Sequence, residues 1–379
     1  MKKILSILLL AFIVTGVVTA ASFNIDEQQE IDLSGINKII FELKRPNCAL
    51  CISTGSQTYS IYGGSRNGQL ALSLEGDLKS NNKKAVPALM PEKNGEVLTI
   101  RLYKETGLFF GLVQNSSVQF TAELPKYFDG DIEIQTSSGD SVVTDINSKE
   151  IRIKSSSGDV EAARIEADII EITASSGDTK AVELSAVSTL KIKSSSGNVE
   201  IDELLSAEAD IHASSGRINI GRLRTVEDLV IHASSGRITA DSLEAGDALI
   251  EASSGKIMIN ELQSNNTIID SSSGSIEVSQ LTTGDADIDC SSGKTSLGIV
   301  EIGGNINVKS SSGDVAIALP ADSAFDVDLS ASSGKIKSAF KVLGEIDSSR
   351  KNEIIGEVNG GGHTIKIKAS SGDITIEER

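Results

Sequence analysis

Two sets of residues in this chain have the types and spacing to do chemistry. Asp140, Asp159 and Asp178 recur every 19 residues, each directly after a Ser-Ser-Gly triplet. Three carboxylates stacked at strand spacing repel one another, and a bound Ca²⁺ would relieve that repulsion. His212, His232 and Glu251 recur at steps of 20 and 19 residues, each four positions before such a glycine. Two imidazoles and a carboxylate make a Zn²⁺ set on paper. Each set also has a plainer reading. Calcium takes six or more oxygens, and the Gly-Gly-x-Gly-x-Asp repeat of calcium-binding solenoids is missing. Aspartate after Ser-Ser-Gly is a good turn residue with its carboxylate in water. The histidines would stand on a flat strand, with no pocket and no outer layer of partners to orient them. Turn and histidine ladders copied by duplication are preferred over bound metal.

What must position these residues is a repeat. Ser-Ser-Gly occurs twelve times, with glycines at Gly139, Gly158, Gly177, Gly197, Gly216, Gly236, Gly255, Gly274, Gly293, Gly313, Gly334 and Gly372. The first eleven are separated by 19 to 21 residues, and the last gap is 38, near two periods. Five positions before each glycine stands Ile, or once Val308 and once Leu329; three before stands a small residue such as Ala213, Ser271 or Cys290. The positions between are polar, and alternation with a period of two signals a half-buried strand. The glycine is expected to supply a positive φ to the turn.

A unit this short cannot bury its own apolar face, so copies must stack. The expectation is an all-β, single-stranded β-solenoid, right-handed, with about 19–20 residues per coil and a length of roughly 60 Å at the usual inter-strand spacing. A propeller blade would need about 40 residues per repeat. Between Gly334 and Gly372 one Ser-Ser-Gly turn is read as missing, with Ser348-Ser349-Arg350 a degenerate copy of it and Gly360-Gly361-Gly362 a flexible insertion. Glu377-Glu378-Arg379 then forms a charged end that resists edge-to-edge pairing.

Residues 1–20 read as a signal peptide: Lys2 and Lys3, an apolar stretch from Ile4 to Val18, and Val18-Thr19-Ala20 as a small-residue cleavage site. No later segment is long and apolar enough to span a bilayer, so the mature chain is read as lacking a transmembrane segment. Loss of the two lysines takes the net charge from −18 to −20 (−18 − 2). Such a surface argues against nucleic acid or anionic lipid as a partner. Aromatic residues are 3% of the chain and Trp is absent, which weakens a carbohydrate groove built on stacked rings. Residues 21–130 carry strand-like runs without the triplet and read as an N-terminal β cap; residues 131–379 form the repeat solenoid. Cys48 and Cys51 form a CxxC that reads as a small disulfide or two incidental thiols, and Cys290 falls in the inward column as core.

Gly95-Glu96-Val97-Leu98-Thr99-Ile100, Ala122-Glu123-Leu124-Pro125 and Thr136-Ser137-Ser138-Gly139-Asp140 carry a resemblance, repeated by Gly313-Asp314-Val315, Leu319-Pro320, Ser332-Ser333-Gly334 and Ser370-Ser371-Gly372-Asp373-Ile374. With these the chain resembles the bacterial putative-adhesin family of envelope proteins, a domain of unknown function related to head-GIN domains. The resemblance implies a β-helical fold and no catalytic residues. The CxxC departs from its pattern.

Enzyme signatures are missing: no nucleophile elbow, no HExxH and no phosphate loop. Coils of nearly constant length leave no long loops to wall a groove for acid–base chemistry. The chain therefore reads as a non-catalytic module, exported to the periplasm or cell surface, that presents polar faces to envelope polymers or cell surfaces. The alternative is a structural or regulatory scaffold that docks an envelope protein.

Overall fold

The computed structural model describes residues 20–44, 48–53, 56–103, 109–344 and 352–379. The proposed signal peptide, Ser348-Ser349-Arg350 and the side chains of Cys48 and Cys51 lie outside the described residues. Among the described residues no helix is long and apolar enough to cross a membrane.

The fold is a β-solenoid, as the period requires. Strands of successive repeats pair in parallel and in register, so each sequence column becomes a ladder. The central ladder runs Ile192, Ile211, Ile231, Ile250, Ile269, Ile288, every member fully buried. Identical β-branched side chains at strand spacing fill the interior without aromatic rings, and no Phe or Tyr occurs between Phe128 and Phe325. Larger side chains gather at the two ends. Phe41 meets Phe120 edge-on at 6.1 Å near one, and Phe325 meets Phe340 at 5.4 Å near the other.

The Ser-Ser-Gly corner differs from the expected tight turn. Its backbone continues the inter-coil ladder, with the Ser215 N–H donating to the Ser195 carbonyl and the Ser254 N–H to that of Ser234. Among the twelve glycines only Gly139, Gly158 and Gly177 have positive φ, between 105° and 114°. At the others glycine is demanded by proximity. A Cβ at Gly255 would lie 1.5 Å from the Gly236 carbonyl oxygen, and one at Gly236 would lie 1.6 Å from that of Gly216. The expectation of a positive φ throughout is thus corrected: the corners stack backbone on backbone, and a side chain would wedge them apart. Behind the corner, Ser194, Ser271 and Ser310 donate their hydroxyls to the glycine carbonyl of their own coil at 2.7–3.0 Å, so these buried serines are satisfied.

Coil order in space departs from order in sequence at both ends. The strand Thr364–Ala369 pairs in parallel with Ile306–Ser310 on one side and Phe325–Ala331 on the other. The glycine column accordingly runs Gly313, Gly372, Gly334. Among the described residues the glycine column therefore continues across the 38-residue gap without an empty place. The coil after Gly313 moves one place outward, Glu353–Val358 covers it as an antiparallel strand, and the chain returns to fill the vacated slot. The other end mirrors this. Lys38–Leu43 lies between Val97–Arg101 and Tyr127–Thr136, and Gln57–Gly64 lies between Phe109–Pro125 and Asp140–Ser157. The antiparallel strands Gln69–Ser80, Ala21–Asp32 and Met90–Asn94 complete that end. The outermost of them carries Asp26, Glu27, Glu30 and Asp32, charges that discourage pairing with another edge.

Candidate functional site

The aspartates after the glycine are exposed, and each works along the rod. The Asp159 backbone N–H donates to Asp140 Oδ1 at 3.0 Å, that of Asp178 to Asp159 Oδ1 at 2.8 Å, and that of Asn198 to Asp178 Oδ1 at 2.8 Å. Asn198 continues the series by accepting from the Arg217 N–H at 3.1 Å. The arrangement recurs where aspartate returns: Asp373 donates to Asp314, and Lys335 to Asp373. These side chains accept the N–H of the residue just after the next coil's glycine, a structural reason for Asp or Asn there.

His212 and His232 do stack, with ring centroids 5.5 Å apart. Their polar atoms diverge. His212 Nε2 meets Asp210 Oδ1, whereas His232 Nδ1 faces Glu251 Oε2 at 3.2 Å and its Nε2 faces Ser234 Oγ at 3.3 Å. Among the described residues no group of three or more His, Cys, Asp or Glu is placed to hold a metal ion. Cys290 is fully buried, its Sγ 3.1 Å from the Gly293 carbonyl oxygen, in the position that serine takes in neighbouring coils.

The histidines begin a longer outward ladder that continues through Glu251, Asp270 and Asp289. Beside it, two positions earlier in each coil, runs Asp210, Val230, Leu249, Ile268, Asp287. An acidic stripe and an apolar stripe thus lie in parallel on one sheet. A cleft of about 370 Å³ opens along the acidic one, lined by His232, Glu251, Asp270 and Asp289. Partial burial, then the charges of Asp289, Glu251 and Asp287, raise the Asp270 pKa. The ionised form is disfavoured there, and a cation would relieve it.

Glu133, on the same sheet toward the N-terminal end, behaves oppositely. Burial alone would raise its pKa, but hydrogen bonds from Lys38 and Gln135 and the charges of Lys38 and Lys154 outweigh that and lower it to about 2. A carboxylate depressed in the folded state stabilises it above the unfolded pKa, and the stabilisation is lost as pH falls from about 4.5 toward 2. The wild type should lose as much as about 3 kcal/mol across that window through this one group. Glu133→Gln should be less acid-sensitive. Urea unfolding at pH 6 and pH 3 checks this; equal pH dependence in the two proteins would refute it.

A separate polar groove lies near the N-terminal end, where the sequence offered no periodic signal. Tyr127 is 68% exposed, and it is the one aromatic side chain classed as exposed among those described. It pairs across the ladder with Asn147, which is followed by Glu166 and Ser185 in successive coils. Facing that column are Asp145, Arg164 and Glu183, and the cleft between measures about 270 Å³. Composition averages conceal a single exposed ring; the signal available was a tyrosine directly after Leu124-Pro125-Lys126, where a buried strand ends.

Comparison with known proteins gives one family. The sequence pattern described as Toastrack DUF4097 matches residues 49–241 and again 210–377. No curated protein matches the chain. Among solved structures, a putative cell adhesion protein from Clostridium sporogenes is 12% identical, with TM-score 0.25 and coverage of 94% of this chain and 100% of that one. A putative adhesin from Parabacteroides merdae is 14% identical, with TM-score 0.29 and coverage of 78% and 91%. Another from Parabacteroides distasonis is 11% identical, with TM-score 0.29 and coverage of 93% and 97%.

Proposed function

Because the chain belongs to the Toastrack DUF4097 family, we propose that it is a non-catalytic module, exported to the periplasm or cell surface, that binds extended polymers of the cell envelope along its rod. One observation carries this reading: the in-register face on which His232, Glu251, Asp270 and Asp289 run beside Val230, Leu249 and Ile268. A polymer repeats its groups along a line, and a ladder repeats its partners along a line at about 4.8 Å. Many weak contacts then add through effective concentration without a deep pocket. Carboxylates select cationic or hydrogen-bond-donating groups, and the apolar stripe takes the less polar parts of the chain.

The test is sedimentation of the purified mature protein with fractionated cell envelopes, with and without Ca²⁺ and chelator. Saturable retention on wall or outer-surface fractions is expected, weakened by salt because the carboxylates contribute. Leu249→Lys combined with Ile268→Lys, both on the outer side of the sheet, should lower retention while leaving folding intact. Chelator should have little effect, since among the described residues no group of three or more His, Cys, Asp or Glu is placed to hold a metal ion. Failure to be retained by any fraction would overturn the reading in favour of a scaffold that docks an envelope protein.

A further inference from the structure

We propose that the groove beside Tyr127 is a saccharide-binding subsite for a neutral, hydroxyl-rich sugar unit, with the sugar's C–H face on the Tyr127 ring and its hydroxyls between Asp145, Arg164, Asn147 and Glu166. The inference rests on the envelope-polymer reading above and names one chemical class within it.

The ring is placed to serve. It is 68% exposed in a chain whose other described aromatic side chains are buried or half-buried, and the Lys126 ammonium stands 5.9 Å from its centroid. A tyrosine left in water at the head of a groove loses no packing by being there, and offers a rigid amphipathic surface to a ligand. Clefts adjoin it on both sides, of about 270 Å³ toward Arg164 and about 690 Å³ toward Arg66. Consecutive units of a chain molecule could therefore flank one ring.

The polar wall is built at a cost to the backbone. Asp145 and Arg164 have φ of 58° and 50°, in the left-handed region that non-glycine residues avoid. The inter-coil pairing passes over both, joining Thr144 to Ala163 and Ile146 to Ile165. Each is therefore a corner residue at which pairing lapses with the register unchanged, and the two corners stack. Their reward is a two-pronged ion pair on the surface: Arg164 Nε to Asp145 Oδ1 at 2.5 Å and Nη2 to Oδ2 at 2.7 Å, with Nη2 also donating to Thr144 Oγ1. The pair is about half exposed, so it adds little to stability. Strain held at a solvent-facing corner for a pair of small energetic value points to use of the pair.

The chemistry fits a neutral sugar better than an acidic one. A fixed guanidinium beside a carboxylate offers donors and acceptors side by side, the complement of two vicinal hydroxyls. Across the groove Asn147 Nδ2 donates to Glu166 Oε2 at 2.8 Å, giving a second donor–acceptor couple. Glu166 and Glu183 on the walls would repel a uronate.

The experiment titrates soluble hexasaccharides of β-linked glucose, β-linked N-acetylglucosamine and β-linked mannose into the full mature protein, reading affinity by calorimetry in the wild type and every variant and the Tyr127 ring signals by NMR in the wild type. At least one should bind in the millimolar range. Tyr127→Ala should weaken it roughly tenfold, the equivalent of about 1.4 kcal/mol, and Tyr127→Phe should retain it. Arg164→Gly is the second variant: glycine suits a φ of 50°, so folding is kept while the fork is lost. If no hexasaccharide perturbs Tyr127, or if Tyr127→Ala or Arg164→Gly binds as the wild type does, the subsite is wrong even where envelope retention persists. Retention lost with hexasaccharide binding intact would instead sink the envelope-polymer reading and leave the subsite standing.

Discussion

Gly255→Ala is expected to destabilise the protein by about 3 kcal/mol or more, at or beyond the usual range for overpacking. The added carbon would lie 1.5 Å from the Gly236 carbonyl oxygen and 2.5 Å from its carbon. Neither atom can turn aside as a side chain can, because both belong to a backbone that continues the inter-coil ladder. Coils must separate locally, and separation weakens the hydrogen bonds that flank the corner, such as Ser254 N–H to the Ser234 carbonyl. Gly95→Ala is the control. Gly95 has a φ of 61° with nothing within 4 Å of its would-be Cβ, so alanine there meets only the left-handed penalty of about 1 kcal/mol. Denaturant unfolding of the two variants separates the causes. If Gly255→Ala costs no more than Gly95→Ala, close stacking is not what holds glycine in this column.

That distinction shows where the sequence was legible and where it was not. The period, the isoleucine ladder and the outward polar columns followed from the twelve triplets, because register in a parallel stack is fixed by sequence spacing alone. The reason for the glycines did not follow. Positive φ and close backbone approach both require the residue without a side chain, and the letters cannot separate them. The Asp140, Asp159 and Asp178 ladder was visible as a column, but not that each carboxylate would accept the next coil's N–H. His212 and His232 were rightly stacked, yet rotamer choice sent one imidazole to Asp210 and the other to Glu251. The Tyr127 groove was invisible because the left-handed corners at Asp145 and Arg164 leave no mark on the period.

The exchanged coil order escaped for a different reason. Repeat counting assumes that neighbours in sequence are neighbours in space, and the 38-residue gap violates this at the C-terminal end. At the other end Lys38–Leu43 is the earliest strand in the stack yet lies second from its edge. In both cases the coil nearest a chain terminus is held by parallel partners on two sides, and a coil from further inside the sequence takes the exposed place. Open ends are where solenoids fray and where free edges recruit other chains. Here the segments with the most freedom to fray are tied into the interior, and the outermost coil is tethered at both of its own ends.

Truncation after Val358 should therefore do more than trim an end. Removing residues 359–379 deletes Thr364–Ala369 and Ile374–Glu378, the parallel partners of Phe325–Ala331 and Ile336–Ser338. The coil at 325–338 would then face an empty slot one strand spacing wide. It must either cross that slot to pair with Ile306–Ser310 and Val315–Leu319, or detach with the antiparallel strand Glu353–Val358 that covers it. Detachment exposes Val308, Ile317 and Leu319, now fully buried or nearly so. Hydrogen exchange measures the outcome. In the intact protein, amides of Thr364–Ala369 should exchange as slowly as those of Ile306–Ser310, although they lie near the chain terminus. In the truncated protein, residues 325–338 should lose protection by several orders of magnitude while Ile211 and Ile231 keep theirs, since stability in a stack is passed only between neighbours. Protection retained at 325–338 after truncation would mean that the inserted coil is an ornament on a rod complete without it.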